Sequence, residues 1–254
     1  MKSFKSIGVF DSGVGGMALV RELVKQKLFH KIYYVLDDDH LPYGNKTEGQ
    51  IQSYSSKASE LLIEKGVDLI LIGCHTATVN SISELRKQFE LPFVGVEPYV
   101  NCINQLRYTE KDRYGLILTE MTSRSDRLKL LIEKYDPKGR VQIIPLPSFA
   151  SKIEELYHNP ELSFAEHCAE EIDELRSFGL THLILGCTHY FLVEEHLKKS
   201  LDLRTINPSQ AVIQQVLRLS SDSSGPVGHS EIELLKTSKM HWHTYDLPLG
   251  LPQV

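Results

Sequence analysis

The sequence lacks several features that define whole classes of protein. Its 254 residues include four cysteines and one tryptophan, too few cysteines for a disulfide scaffold. No apolar run approaches the roughly eighteen residues of a membrane span. The N-terminal stretch "MKSFKSIGVF" holds only a short apolar run, less than a signal peptide needs. We therefore expect a cytoplasmic protein with reduced thiols and no membrane association.

Excess positive charge is also absent. The formal net charge of −5 argues against a nucleic-acid-binding protein, which is usually basic. The apolar fraction of 41% and the charged fraction of 24% are ordinary for a soluble globular protein. A chain of this length predicts one large domain or two small ones.

Short apolar runs alternate with stretches of helical period along most of the chain. Apolar positions recur with helical spacing over Leu19–Leu28, Ile51–Leu62 and Leu128–Tyr135, and more weakly over Val212–Leu219. Continuous apolar strands between helices indicate parallel sheets covered on both faces, and hence an α/β protein. The predicted strands are Ser6–Phe10, Ile32–Leu36, Asp68–Ile72, Phe93–Val96, Tyr114–Leu118, Val141–Ile144, His182–Leu185 and Leu203–Ile206.

The two halves of the chain resemble each other. "LILIGCHTAT" (69–78) and "LILGCTHYFL" (183–192) both place Gly-Cys after a strand and before a helix. This suggests two similar α/β lobes, with a crossover near Glu97–Pro98 and a return near Asn207–Pro208. The first lobe would comprise residues 1–97 plus 208–254, and the second residues 98–207.

The matched cysteines, Cys74 and Cys187, are candidates for acid–base chemistry. Ligands of parallel sheets bind beyond the carboxyl ends of the strands, where a helix N-terminus lowers the pKa of a nearby thiol towards neutrality. Two thiols that face one carbon from opposite sides predict racemisation without a cofactor. The alternative is that each buried thiol packs as a small apolar side chain, the interpretation we give to Cys102 and Cys168.

Four segments carry a resemblance to a known family. "IGVFDSGVGGMALV", "LPYGNKT", "GCHTAT" and "LGCTHYFL" together resemble glutamate racemases of the aspartate/glutamate racemase superfamily. The resemblance implies two lobes related by a pseudo-twofold axis, with the active site in the cleft between them. It also implies glutamate as substrate, one cysteine on each face, no cofactor or metal, a homodimer, and D-glutamate supply for peptidoglycan.

The resemblance also implies the site residues. Catalytic roles fall on Cys74, Cys187, Asp11, His189 and Glu154, with Glu155 as the alternative to Glu154. Substrate contacts are implied for Ser12, Pro42, Tyr43, Gly44, His75, Thr76, Thr119, Thr122 and Thr188.

Three positions depart from the family pattern. His75 replaces the usual Asn, Phe191 replaces the usual Pro, and "LDDDH" (36–40) replaces Gly-Asp-Thr-Ala-Arg. A His beside Cys74 offers a different set of hydrogen-bond donors. It also predicts a group that titrates near pH 6–7 in the rate profile.

For the remaining segments we favour a structural interpretation over a ligand site. "DSGVGG" resembles a phosphate loop but lacks its Lys, and Asp37–His40 favours a solvated loop over a metal site. His241 and His243 are predicted on one face of a surface strand, and Ser220–Ser230 as a polar loop.

Two other functions stay open at this point. One is a superfamily relative that racemises aspartate or another small acid. The other is a weakly active or inactive protein that binds an acidic ligand or a protein partner.

Overall fold

The computed structural model describes residues 4–105, 109–220 and 230–237. Nine strands lie in these ranges: β1 (Ser6–Asp11), β2 (Lys31–Leu36), β3 (Leu69–Ile72), β4 (Phe93–Gly95), β5 (Tyr114–Leu118), β6 (Val141–Pro145), β7 (His182–Gly186), β8 (Arg204–Ile206) and β9 (Glu231–Lys236).

Eleven α-helices lie in the same ranges, with three short 3₁₀ helices at Val14–Gly16, Tyr43–Asn45 and Val100–Asn104. The α-helices are α1 (Met17–Gln26), α2 (Glu48–Glu64), α3 (His75–Gln88), α4 (Glu120–Ser123), α5 (Asp126–Tyr135), α6 (Phe149–His158), α7 (Phe164–His167), α8 (Ala169–Ser177), α9 (His189–Leu192), α10 (Glu194–Leu201) and α11 (Ser209–Ser220). None of the helices in the described ranges is long and apolar enough to cross a membrane.

The strands form two parallel sheets, which confirms the predicted α/β class. The first has the order β4-β3-β1-β2-β9 and the second the order β6-β5-β7-β8, with every pairing parallel. In each sheet the first strand in sequence has its next two strands on opposite sides: β2 and β3 flank β1, and β6 and β7 flank β5. Such a reversal of strand order opens a crevice at the carboxyl ends of the strands.

Each sheet is buried on both faces because its central strands are apolar throughout. In β3, Leu69 and Leu71 pack into one core cluster while Ile70 and Ile72 pack into another, as the two-residue period of a strand requires. The first of these clusters also contains Leu183 and other residues of the second sheet. A continuous apolar core therefore joins the two sheets.

All eight predicted strands are confirmed, but a ninth was missed. Glu231–Lys236 pairs along the whole length of β2 as the edge of the first sheet. Its charged residues hide the strand pattern, and at the edge Glu233 forms ion pairs with Lys65 and Lys31.

The other predictions for the C-terminal part fall mostly outside the described residues. Residues 221–229 of the predicted polar loop lie there, as do His241 and His243. Ser230, at the end of that loop, is buried and donates a hydrogen bond to the carbonyl oxygen of Phe29. Helix α11 contacts α1 and β4, and the lobe boundaries at 97/98 and 207/208 stay a prediction.

Candidate active site

A cavity of about 340 Å³ lies at the carboxyl ends of the central strands, between the two sheets. Both matched cysteines line it, together with the loop after β2 and the start of α4. The lining residues are Ser12, Leu41, Pro42, Tyr43, Gly44, Asn45, Lys46, Cys74, Thr76, Thr119, Glu120, Met121, Arg124, Pro147, Ala150, Ser151, Cys187 and His189.

Cys74 caps the N-terminus of α3. Its Sγ accepts a hydrogen bond from the backbone N–H of Ala77 at 3.4 Å and lies 3.4 Å from Oγ of Ser12. Burial, and then the charge of Asp11, raise the pKa of the Cys74 thiol to about 12. The expectation that the helix N-terminus would lower this pKa is therefore wrong, because desolvation of the thiolate outweighs the helix dipole.

Asp11 ends β1 and is fully buried. Its Oδ1 accepts from Ser12 and from the backbone N–H of Gly13, and its Oδ2 accepts from Oγ1 of Thr188 at 2.9 Å. Burial raises the pKa of Asp11 to about 6 despite the opposing effects of His189 and these donors. The carboxylate thus links the Cys74 side of the site to the start of the helix that follows Cys187.

The second thiol has different partners. Sγ of Cys187 lies 3.7 Å from Nδ1 of His189, whose Nε2 lies 2.7 Å from Oε2 of Glu154. Burial alone would lower the pKa of His189, but the hydrogen bonds and charges of Cys187 and Glu154 together raise it well above its ordinary value. The imidazole is consequently held as a cation between a sulfur and a carboxylate.

The structure distinguishes between the two glutamates left open by the sequence. Glu154 accepts a second hydrogen bond from the backbone N–H of Val14 at 3.0 Å, and its side chain is only 10% exposed. Glu155 is 59% exposed and pairs with His167. Only Glu154 lies against the imidazole of His189.

The glycines of "DSGVGG" bring the two sides of the site together. A Cβ on Gly13 would lie 2.6 Å from Oε2 of Glu154, and one on Gly15 would lie 2.6 Å from the backbone nitrogen of His189. Real Cβ atoms do not approach other atoms so closely. A Cβ on Gly15 would meet backbone, so this position requires glycine, whereas a Cβ on Gly13 would displace the side chain of Glu154. The motif that resembles a phosphate loop therefore makes room for the second sheet's His189 and Glu154.

The loop Pro42–Gly44 lines the cavity and is anchored by a residue that the sequence analysis missed. The hydroxyl of Tyr43 donates to Oδ2 of Asp37 at 2.5 Å, and Oγ1 of Thr237 donates to Oδ1 at 2.7 Å. Nδ1 of His40 lies 2.8 Å from the same Oδ1. The first acid of "DDDH" is thus a buried anchor, and the predicted solvated loop is wrong at this position.

Three threonine hydroxyls form a triangle across the cleft. The Oγ1 atoms of Thr76, Thr119 and Thr122 lie 2.9 to 3.0 Å apart. Thr76 and Thr119 line the cavity, whereas Thr122 is fully buried behind them. The first two can turn a hydroxyl towards a ligand while Thr122 keeps them oriented.

His75 is 1% exposed, and both ring nitrogens are buried without a hydrogen-bond partner among the described residues. Burial lowers the pKa of His75 to about 3, so the ring is neutral and the prediction that it titrates near pH 6–7 is wrong. It does not line the cavity, and its substrate contact stays a prediction. Its ring instead meets the ring of Phe191 edge-on at 5.9 Å.

Cys102 and Cys168 lie away from the cavity. Cys102 lies in the 3₁₀ helix at Val100–Asn104, and Cys168 joins α7 to α8. Both are buried in apolar clusters, which agrees with their predicted packing role. Several lining residues lie outside the motifs identified in the sequence, among them Met121, Arg124 and Ser151.

Comparisons with known proteins show the family of the chain. The pattern of the Asp/Glu/hydantoin racemase family matches residues 12–216. A glutamate racemase of Persephonella marina is 34% identical over 252 residues, 96% of this chain and 93% of that protein. A glutamate racemase of Pseudomonas aeruginosa is 32% identical over 221 residues, 85% of this chain and 82% of that protein.

The fold comparison gives the same result. The crystal structure of a Francisella tularensis glutamate racemase in complex with D-glutamate superposes with a TM-score of 0.75 at 27% identity, and covers 92% of this chain and 88% of that one. The chain therefore belongs to the Asp/Glu/hydantoin racemase family.

Proposed function

We propose that the protein interconverts L- and D-glutamate by proton transfer between two thiols. The observation that carries this proposal is that both cysteines line one cavity with unlike partners. Cys74 has a raised pKa and contacts a hydroxyl, while Cys187 lies against a cationic imidazole. A two-base racemisation needs one protonated and one unprotonated group at the start of each turnover.

The reaction would proceed as follows in one direction. Cys187, acting as a thiolate beside the ring of His189, takes the α-proton of bound glutamate as the Cα–H bond breaks. The thiol of Cys74 then gives its proton to the opposite face of the same carbon. The product has inverted configuration, and the two sulfurs have exchanged protonation states, which suits the reverse reaction.

The site's other groups would lower the barrier by hydrogen bonding and charge. Hydroxyls of Ser12, Thr76 and Thr119 border the cavity and can donate hydrogen bonds to the α-carboxylate of the substrate, onto which negative charge spreads as the α-proton leaves. Glu154 holds the cation of His189, which in turn offsets the thiolate. Asp11 can exchange a proton with the hydroxyl of Ser12, which in turn contacts the sulfur of Cys74.

The finer parts of the proposal follow from the family resemblance. They are an absence of cofactor and metal, a homodimer in the cytoplasm, and D-glutamate supply for peptidoglycan. We propose glutamate and not aspartate as the substrate because the relatives at 32–34% identity are glutamate racemases.

The test is a racemisation screen with purified protein. Each enantiomer of glutamate and aspartate is incubated alone, and circular dichroism follows the loss of optical activity. We expect glutamate to racemise from both enantiomers with the larger kcat/KM. Faster racemisation of aspartate would overturn the substrate, and no turnover of either acid would overturn the enzymatic function.

A further inference from the structure

A ring contact joins the two sides of the site behind the cavity, in addition to the hydrogen bonds made across it by Asp11, Glu154 and the three threonines. The ring of His75, the first residue of α3, meets the ring of Phe191 in α9 at 5.9 Å and 77°. Helix α3 follows β3 of the first sheet, and α9 follows β7 of the second. Edge-to-face ring contacts of this kind have a preferred distance and angle.

The two rings lie next to the reacting groups without lining the cavity. Cys74 and Thr76, on either side of His75 in the chain, both line it, as do Cys187 and His189, just before Phe191. Each ring therefore lies on a turn that also carries one of the two thiols.

Packing holds the His75 ring, since hydrogen bonds do not. Both ring nitrogens are buried without a partner among the described residues, and Phe191 is itself buried. Buried polar atoms are usually paired, so an unpaired imidazole at this point has its position fixed by the shape of its neighbours.

We propose that His75 and Phe191 are a positioning pair that sets the spacing of Cys74 and Cys187 across the cleft. The proposal rests on the two-thiol racemisation proposed above. Both sulfurs must reach the same α-carbon within one turnover, and proton transfer falls off steeply when a group is displaced by about 1 Å. The pair fixes this spacing through contact between the sheets.

Exchange of the α-proton in deuterated water distinguishes a change in the spacing of the two sulfurs from a general loss of activity. A sulfur that takes the α-proton becomes a thiol, which exchanges this proton for a deuteron of the solvent. If the same sulfur returns the deuteron, the substrate keeps its configuration and gains deuterium. If the opposite sulfur delivers a deuteron, the configuration inverts. The measured quantity is the initial rate of deuterium gain with retention divided by the rate of inversion, starting from D-glutamate and then from L-glutamate.

We expect His75→Asn and Phe191→Leu each to raise this ratio at least fivefold, because delivery from the opposite sulfur is the step that depends on spacing. The double variant should show about the ratio of the stronger single variant, since either change breaks the same contact. The variant His75→Phe retains a ring at this position, and its ratio should therefore stay closer to that of the parent than the ratio of His75→Asn.

A matched pair of rings provides the control. His196 and Phe164 have ring centroids 4.7 Å apart and do not line the cavity. His196→Asn and Phe164→Leu should leave the ratio within twofold of the parent, whatever they do to the melting temperature.

Three outcomes would overturn the proposal. The first is an unchanged ratio in both His75→Asn and Phe191→Leu. The second is a double variant whose ratio is the product of the two single effects. The third is a loss of glutamate binding in His75→Phe, which would mean that the ring nitrogens contact the substrate. A parent protein that gains no deuterium and does not invert glutamate would instead refute the proposed function.

Discussion

The surroundings of the two thiols differ although the sequence presents them as a matched pair. Cys74 lies beside a hydroxyl and an N–H group, and burial raises its pKa to about 12. Cys187 lies beside an imidazole held by a buried carboxylate. The repeated motif therefore places its two thiols in unlike surroundings, and only Cys187 lies against an imidazole.

The largest expected effect tests whether both sides are needed. Cys74→Ser and Cys187→Ser should each lower kcat for racemisation by about 10²–10⁴-fold, because Ser is a far weaker acid than Cys. Cys102→Ser serves as the control, since this buried thiol lies away from the cavity, and should leave kcat within about twofold. Near-normal racemisation in either of the first two variants would end the two-thiol account.

The second prediction concerns Asp11, the link between the sides. Its pKa is raised from 3.8 to about 6 in the folded protein, so its ionised form costs stability. The stability that the protonated Asp11 contributes is fully present below about pH 4 and is lost as the pH rises through 6. At 1.36 kcal/mol per pKa unit, the loss is about 3 kcal/mol.

Asp11→Asn stays neutral and should not lose this stability. The free energy of unfolding of the variant relative to the parent should therefore increase by about 3 kcal/mol between pH 3.5 and 7.5, measured by urea titration. A difference that stays constant, or shrinks as the pH rises, would show that Asp11 does not carry the shifted proton.

The third prediction concerns the groups found only on the Cys187 side. His189→Asn removes the imidazolium, and Glu154→Gln removes the carboxylate that pairs with it. Each change should lower kcat/KM by roughly 10- to 100-fold. The equilibrium constant between enantiomers is one, so kcat/KM must fall equally in both directions, while kcat and KM should change differently for each enantiomer. Glu155→Gln is the control and should change kcat/KM less than twofold.

The fourth and smallest effect concerns the loop Pro42–Gly44, which lines the cavity. Tyr43→Phe removes the hydrogen bond to Asp37, which should cost roughly 1–2 kcal/mol of stability. The loosened loop should also raise KM about fivefold with little change in kcat. Tyr54→Phe, whose ring stacks on His40, keeps that bond and should leave KM unchanged. Equal KM values for the two variants would refute the anchoring role.

Much of this organisation could be predicted from the sequence because local patterns determine it. Mostly apolar runs of four or five residues indicated eight strands correctly. The repeated strand-Gly-Cys unit identified two thiols that line one cavity. The choice between Glu154 and Glu155 needed the orientation of the side chains of α6, which the family resemblance does not determine.

The rest depended on how the two sheets meet. The pKa of Cys74 follows from a balance between burial and the helix N-terminus, and only the folded structure shows which dominates. The contact of His75 with Phe191 joins two separate motifs, so no local pattern predicts it. Strand β9 is hidden by its charges, since Glu231, Glu233 and Lys236 interrupt the apolar alternation.

The central claim is that each thiol serves one face of the substrate, and isotope exchange by the two serine variants tests it most directly. Cys74→Ser and Cys187→Ser are incubated separately with D- and L-glutamate in deuterated water, and deuterium at Cα is followed by mass spectrometry. We predict that each variant exchanges the α-proton of one enantiomer only, and that the two variants act on opposite enantiomers. Exchange of the same enantiomer by both variants, or of both enantiomers by either one, would contradict the account.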